Sequence, residues 1–231
     1  MSKSNIWIHF SDLMTGLMVI FLFIAIAYIR KVQQNTNVLS EYVEVKTQLH
    51  DKMVMEFAGD TARWQMTIGK DLSMKFTKPE VLFQTGKADI TPQFRDILDE
   101  FIPKYLDILL NDSLRSKIKE IRIEGHTDNI PAPRFHTDPY MGNVILSQRR
   151  ANEVLWYIRN MECFSKYTEE ERSLLEYWFT ANGLSYGKAL DNTGEYVYIS
   201  KEPINLDRSR RVEFRIVTSG EEVLENFVEK Q

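Results

Sequence analysis

From Leu13 to Ile29 the chain carries nothing more polar than Thr15 and the hydroxyl of Tyr28. At ~1.5 Å per residue, the stretch from Trp7 to Ile29 makes about 34 Å of helix, enough to cross a hydrocarbon core of about 30 Å. Residues 7–29 are therefore read as a transmembrane helix, with residues 1–6 as a short preceding segment. Residues 30–63 are polar and lack proline, with apolar positions at Val38, Tyr42, Val45, Leu49 and Met53. That spacing describes one stripe along a helix, hence a stiff stalk. Either two copies pair along the stripe as a short coiled coil, or the stripe packs on the chain's own domain.

From Trp64 the period changes. The segments 64–69 and 72–76 alternate as strands about a turn at Gly69–Lys70, and 79–89 reads as a further strand ending in a glycine turn. Thr91 and Pro92 open a helix running from Gln93 towards Leu110. Residues 119–124 alternate again, a second helix starts near Leu146–Ser147, and the last strong strand covers 210–217. An added helix is expected over Glu169 to Trp178. Strands interleaved with two main helices predict an α/β sandwich, a mixed sheet with helices on one face, over residues 64–218, followed by a tail at 219–231.

Asp12 is out of place in this pattern. It lies about 7 Å in from one end of the apolar helix, beside Ser11 and Thr15, where a carboxylate costs roughly 2.5 kcal/mol or more unless it faces protein or water. Such acids are proton- or ion-pathway candidates. A helix starting at Leu13 would instead make Asp12 an N-cap in the headgroup layer. The Ala25-Ile26-Ala27 run fits a signal-cleavage pattern, but the apolar segment is longer than a usual signal core.

Composition narrows the function classes. The net charge is −4, with both signs interspersed, which argues against a nucleic-acid surface. Cys163 is the single cysteine, so it is either a buried thiol or a cross-link to another chain. His126 and His136 have no spaced ligand partners, so no metal site is expected. No nucleophile–base set or phosphate-binding glycine loop is present, so no enzyme is expected. Lys3 precedes the apolar helix while Arg30 and Lys31 follow it, a slight lean towards a cytoplasmic C-terminus.

The ordered set EVLFQTGKADIT, IRIEGHTDN, NVILSQRRANEVLWYI and RSRRVEFRI resembles the OmpA-like peptidoglycan-binding domain of outer-membrane anchors, Pal lipoproteins and MotB-type stator subunits, from about Trp64 to Val217. The resemblance implies that Asp128 and Arg150 hold the diaminopimelate of a peptide stem, supported by Thr127, Asn129, Asn143, Leu146 and Ser147. The chemistry suits a zwitterion, an anion for its ammonium group and a guanidinium for its carboxylate. Read without the family, Asp128 is a turn-forming residue and Arg149 and Arg150 a solvated face. The segments 130–142 and 160–190 depart from the family pattern.

FSDLMTGLMVIFLFIAIAY is similar to the membrane segment of MotB-like B subunits of ion-driven motors. That likeness implies Asp12 as the acceptor of transported H+ or Na+, with no other cofactor. It implies a homodimer of B subunits within a ring of multi-span MotA-like or ZorA-like A subunits, about five A to two B. It also implies a single-pass protein of the bacterial inner membrane, N-terminus cytoplasmic and C-terminal domain periplasmic, against the charge lean. The short connection from Ile29 to Trp64 favours the B subunits of the Zorya anti-phage system over flagellar stators. The alternatives are a passive single-span tether to peptidoglycan and a Tol/Exb-like transducer.

Overall fold

The computed structural model describes residues 3–221; the expectations for Met1, Ser2 and most of the 219–231 tail lie outside them. One unbroken helix, α1 (Lys3–Phe57), forms the N-terminal part. At ~1.5 Å per residue it is on the order of 80 Å long. Every residue from Phe10 to Gln34 is exposed, including Phe21 at 61% and Phe23 at 67%. So wide an apolar surface is stable only against lipid or another chain, and the helix is long and apolar enough to cross a membrane. Because α1 starts at Lys3, Asp12 lies inside a helix rather than at its cap.

The last turns of α1 enter the domain. Leu49, Met53 and Phe57 are buried, and Val45 packs against the same core. The lower end of the stalk stripe thus packs on the chain's own domain, so the packed unit begins near Leu49 rather than at Trp64. Val32, Leu39 and Val43 remain exposed above it.

A turn of helix, α2 (Thr61–Trp64), leads into the hairpin of β1 (Met66–Ile68) and β2 (Ser73–Phe76). The strand expected over 79–89 is instead a helical turn, α3 (Pro79–Leu82). Proline at its start has a preset φ and no N–H to lose, and only Phe83 opposite Ile90 keeps a strand-like bridge. Helix α4 (Pro92–Leu109) opens as expected on Thr91, whose hydroxyl oxygen accepts from the Phe94 amide. A short α5 (Asp112–Arg115) precedes β3 (Ile118–Gly125).

Helix α6 (Pro139–Arg159) starts well before the expected Leu146, because the Asp138 carboxylate accepts from the amides of Tyr140 and Met141 with Pro139 just inside. Helix α7 (Glu169–Trp178) follows, opened by a reciprocal Thr168–Glu171 capping box. It feeds β4 (Phe179–Gly183), a strand the sequence pattern did not signal. The turns α8 (Val197–Ser200) and α9 (Leu206–Ser209) lead to β5 (Val212–Thr218).

The five strands form a mixed sheet in the order β1-β2-β5-β3-β4. Only the β3–β4 pair is parallel. Helices α4, α6 and α7 bury its apolar face, as an α/β sandwich requires. Phe101 of α4 ties the layers together, with ring contacts at 5.1–6.2 Å to Phe57, Trp64, Phe76, Tyr105 and Phe214. The segment between β4 and β5 covers part of the opposite, polar face, where Arg211 Nη2 donates to the Lys188 carbonyl at 3.1 Å.

Two glycines set how closely α6 approaches the sheet. Gly125 and Gly183 stand opposite each other on β3 and β4. A Cβ on Gly125 would meet the Ser147 carbonyl oxygen at 2.2 Å, and one on Gly183 the Gln148 amide nitrogen at 2.4 Å. Gln148 also clamps β4, its Oε1 accepting from Gly183 N at 2.8 Å and its Nε2 donating to Ala181 O at 2.9 Å. We expect Gly125→Ala to destabilise the domain by about 1–3 kcal/mol through this backbone clash. Chemical denaturation of the full chain in detergent measures the change, and unchanged stability would contradict the close approach.

Candidate functional site

The turn after β3 holds the first of the expected site residues. Thr127 N donates to the Ser185 carbonyl at 3.0 Å, anchoring the turn from behind. Asp128, 5% exposed, accepts from Ile130 N on Oδ1 at 3.0 Å. The turn-forming role and a cleft position thus coincide in one side chain. Its Oδ2 lies 3.5 Å from Arg210 Nη1.

Arg150 comes from the middle of α6, not from near its start, since the helix already begins at Pro139. Its Nε donates to the Lys87 carbonyl at 3.0 Å, and its guanidinium lies 4.8 Å above the Phe83 ring. Burial lowers its pKa to about 10, with the Asp128 charge opposing that shift and Arg210 adding to it. The group remains cationic at neutral pH. Stacking and the Nε bond fix the plane of the fork, and no other hydrogen bond to this guanidinium occurs among the described residues. A planar cation held this way suits paired recognition of a carboxylate.

Asp128, Arg150 and Arg210 line one cleft of about 490 Å³, walled by Phe83, Pro131 and Phe135. Thr127, Asn143 and Leu146 also line it. Asn143 Nδ2 donates to the Ile130 carbonyl at 2.9 Å and to the Pro139 carbonyl at 3.2 Å, joining the inserted loop to α6. Ser147 lies outside the lining: its Oγ donates to Val144 O at 3.0 Å and accepts from Ser185 N at 3.0 Å, a helix-to-loop tie. Asn129 is exposed and also outside the lining. Arg149 is exposed, with its guanidinium 5.0 Å from the Phe135 ring.

Phe83, Lys87 and Arg210 carry no site signal of their own in the sequence, although all three sit inside the EVLFQTGKADIT and RSRRVEFRI segments. Their signal was position alone, since the residue types are common on any surface. The inserted segment divides in two. Its proline-rich part walls the cleft, while Pro139–Gly142 forms the first turn of α6. Chemically the cleft places the Asp128 carboxylate near the guanidinium groups of Arg150 and Arg210 over an aromatic and proline wall, with Glu80 and Arg134 also in its lining. That arrangement suits a short ligand carrying both an ammonium and a carboxylate group.

The other candidate lies far away on α1. Asp12 is exposed, and beside it the Thr15 hydroxyl donates to the Ser11 carbonyl at 2.8 Å. From Asp12 to Leu49 the same helix spans about 55 Å. The two candidates therefore do not form one site. They are joined by a rod.

Comparison with known proteins adds to this picture. Residues 82–181 match the OmpA family. A MotB-like protein of Desulfovibrio vulgaris superposes with a TM-score of 0.50 at 21% identity, covering 78% of this chain and 98% of that one. At that identity the likeness concerns the fold. Zorya protein ZorB of Escherichia coli is 36% identical over 231 residues, spanning 97% of this chain and 92% of that protein. That match runs through the apolar helix, the stalk and the OmpA-like domain together, and on it the chain belongs to the ZorB family.

Proposed function

We propose that this protein is the B subunit of an ion-driven rotary motor of the inner membrane, held to peptidoglycan and serving anti-phage defence. The observation that carries the reading is the pairing of two features on one unbroken helix. At one end an exposed apolar segment bears a single carboxylate, Asp12. At the other end a folded domain presents a cleft with Asp128 beside Arg150 and Arg210.

In this reading two copies sit within a ring of multi-span A subunits, and Asp12 alternately takes up and releases H+ or Na+. One elementary charge crossing 100 mV releases about 2.3 kcal/mol, so a few ions suffice for a rotational step. The apolar surface of α1 faces lipid and the A subunits. The N-terminus is cytoplasmic and the domain periplasmic, because peptidoglycan lies only there. Asp128 takes the ammonium group of a stem-peptide diaminopimelate, and Arg150, aided by Arg210, takes its carboxylate. The stiff connection of α1 to the core keeps the B dimer from turning while the A ring moves around it.

Two experiments test the separate ends. Asp12→Asn keeps shape and hydrogen bonding but cannot titrate. In cells that also express the multi-span partner, it should abolish phage protection while protein level and assembly stay normal. Full protection would leave a passive tether with Asp12 as an incidental polar residue. Binding of the detergent-solubilised chain to isolated sacculi should fall with Asp128→Asn and with Arg150→Ala, each by about 2 kcal/mol or more, as for removal of one partner of a desolvated charge pair. Asp12→Asn should leave sacculus binding unchanged. Unaltered binding in both cleft variants would overturn the assignment of the cleft.

A further inference from the structure

On the face of the sheet away from the helices, β3 and β5 set like charges against one another. Arg122 stands opposite Arg215 and Glu124 opposite Glu213. In the next row His126 donates its amide to the Arg211 carbonyl at 3.0 Å. Like charges directly opposed across an antiparallel pair are destabilising, and here Glu124 and Glu213 are also buried, at 7% and 2% exposure. Arg211 answers only part of this, with Nε 2.5 Å from Glu213 Oε1 and its other nitrogens on the Ser209 and Lys188 carbonyls.

Glu124 has no equivalent partner. Its one basic contact within 4 Å among the described residues is His126 Nε2, at 3.6 Å from Oε2. Burial pushes its carboxyl above the ordinary range, against the pull of Arg215, Arg122 and Arg211. His126 is itself 2% exposed, and neither ring nitrogen has a hydrogen-bond partner. A buried polar group left unpaired in this way carries its full desolvation penalty. The same Nε2 lies 3.6 Å from Glu213 Oε1, so it is aimed between two carboxylates.

These separations are those of metal ligands. Donors bound at about 2.0–2.2 Å around a tetrahedral ion stand about 3.3–3.6 Å apart, and the three ligand atoms here lie within 4.8 Å of one another. Glu124 and His126 also line a polar cleft of about 450 Å³ with Lys188, Tyr196 and Arg215, which offers a way in. We propose that Glu124, His126 Nε2 and Glu213 bind a divalent cation of the zinc type, leaving the fourth position to water. Arg211 is the outer partner that holds the Glu213 carboxylate in place. The ion staples β3 to β5 directly behind the turn that carries Asp128 and beside the strand entry that carries Arg210. It thus relieves the opposed glutamates and stiffens the back of the cleft. The sequence alone offers His126 only Glu124, two residues before it on the same strand face, because Glu213 reaches it only through the β3–β5 register.

The test uses the full chain in detergent, freed of any affinity tag, stripped with EDTA, equilibrated with Zn2+ and passed through a desalting column before elemental analysis. The wild type should retain about one Zn2+ per chain and gain thermal stability from it. His50→Asn removes a histidine outside the cluster and should retain the ion equally. Glu124→Gln, which is nearly isosteric, and His126→Asn should each weaken Zn2+ binding by about 10-fold or more and lose the Zn2+-dependent rise in Tm. Should His126→Asn fail to fold, Glu124→Gln decides alone. No Zn2+ retained by the wild type, or equal retention by Glu124→Gln, would overturn the site.

Discussion

The cleft depends on how closely the backbone of α6 lies on the sheet. Side chains at the Gly125 and Gly183 positions would collide with backbone atoms of Ser147 and Gln148. Without them the helix settles against β3 and β4, and its next inward residue towards the cleft is Arg150. The same approach lets Ser147 and Gln148 bond across to Ser185, Ala181 and Gly183. A guanidinium and a carboxylate from distant stretches of chain are thereby brought to one cavity with little freedom in either. Precise placement of a charged pair needs rigid elements behind it, and here the rigid element is a helix seated on bare backbone.

A second dependency runs along α1. The exposed apolar segment and the folded domain share one helix, and its last turns are part of the core through Leu49, Met53 and Phe57. The clamp continues past the helix end: Asp60 Oδ2 lies 2.9 Å from Lys104 Nζ, and Arg63 reaches both Asp60 and Glu100. These pairs are largely at the surface and contribute little stability individually. Their effect is to hold the chain direction where the rod meets α4. A flexible linker would allow the domain to swivel freely. A helix embedded at its end holds the domain to the rod.

The two faces of the sheet solve different problems. One face is apolar and packs the aromatic cluster around Phe101. The other carries glutamates, arginines and His126 in opposed rows, with Glu124, His126, Arg211 and Glu213 buried. Buried ionic groups are costly unless paired, so this face is where the fold holds unrelieved electrostatic demand. It adjoins the cleft, because His126 stands two residues before Asp128.

The amino-acid sequence by itself determined what depends on neighbours along the chain. The apolar run with its single acid, the helix opened by Thr91, the helix over Glu169 to Trp178 and the alternation of 119–124 and 210–217 are local signals, and the elements follow them. Local signals also misled: Pro79 to Asp89 reads as a strand but turns as a helix at its proline, and α6 takes its start from the Asp138 cap rather than from its apolar face. The OmpA-like fold was legible because several motifs occur in order, and with it the meeting of Asp128 and Arg150 at one cleft. Only the tertiary structure decided that β4 joins the sheet in parallel, that Arg210 stands beside Asp128, that Ser147 ties rather than lines, and that Glu213 meets Glu124 and His126. Those are matters of strand register and helix seating. They arise from packing between residues far apart in sequence, for which no residue carries a local mark.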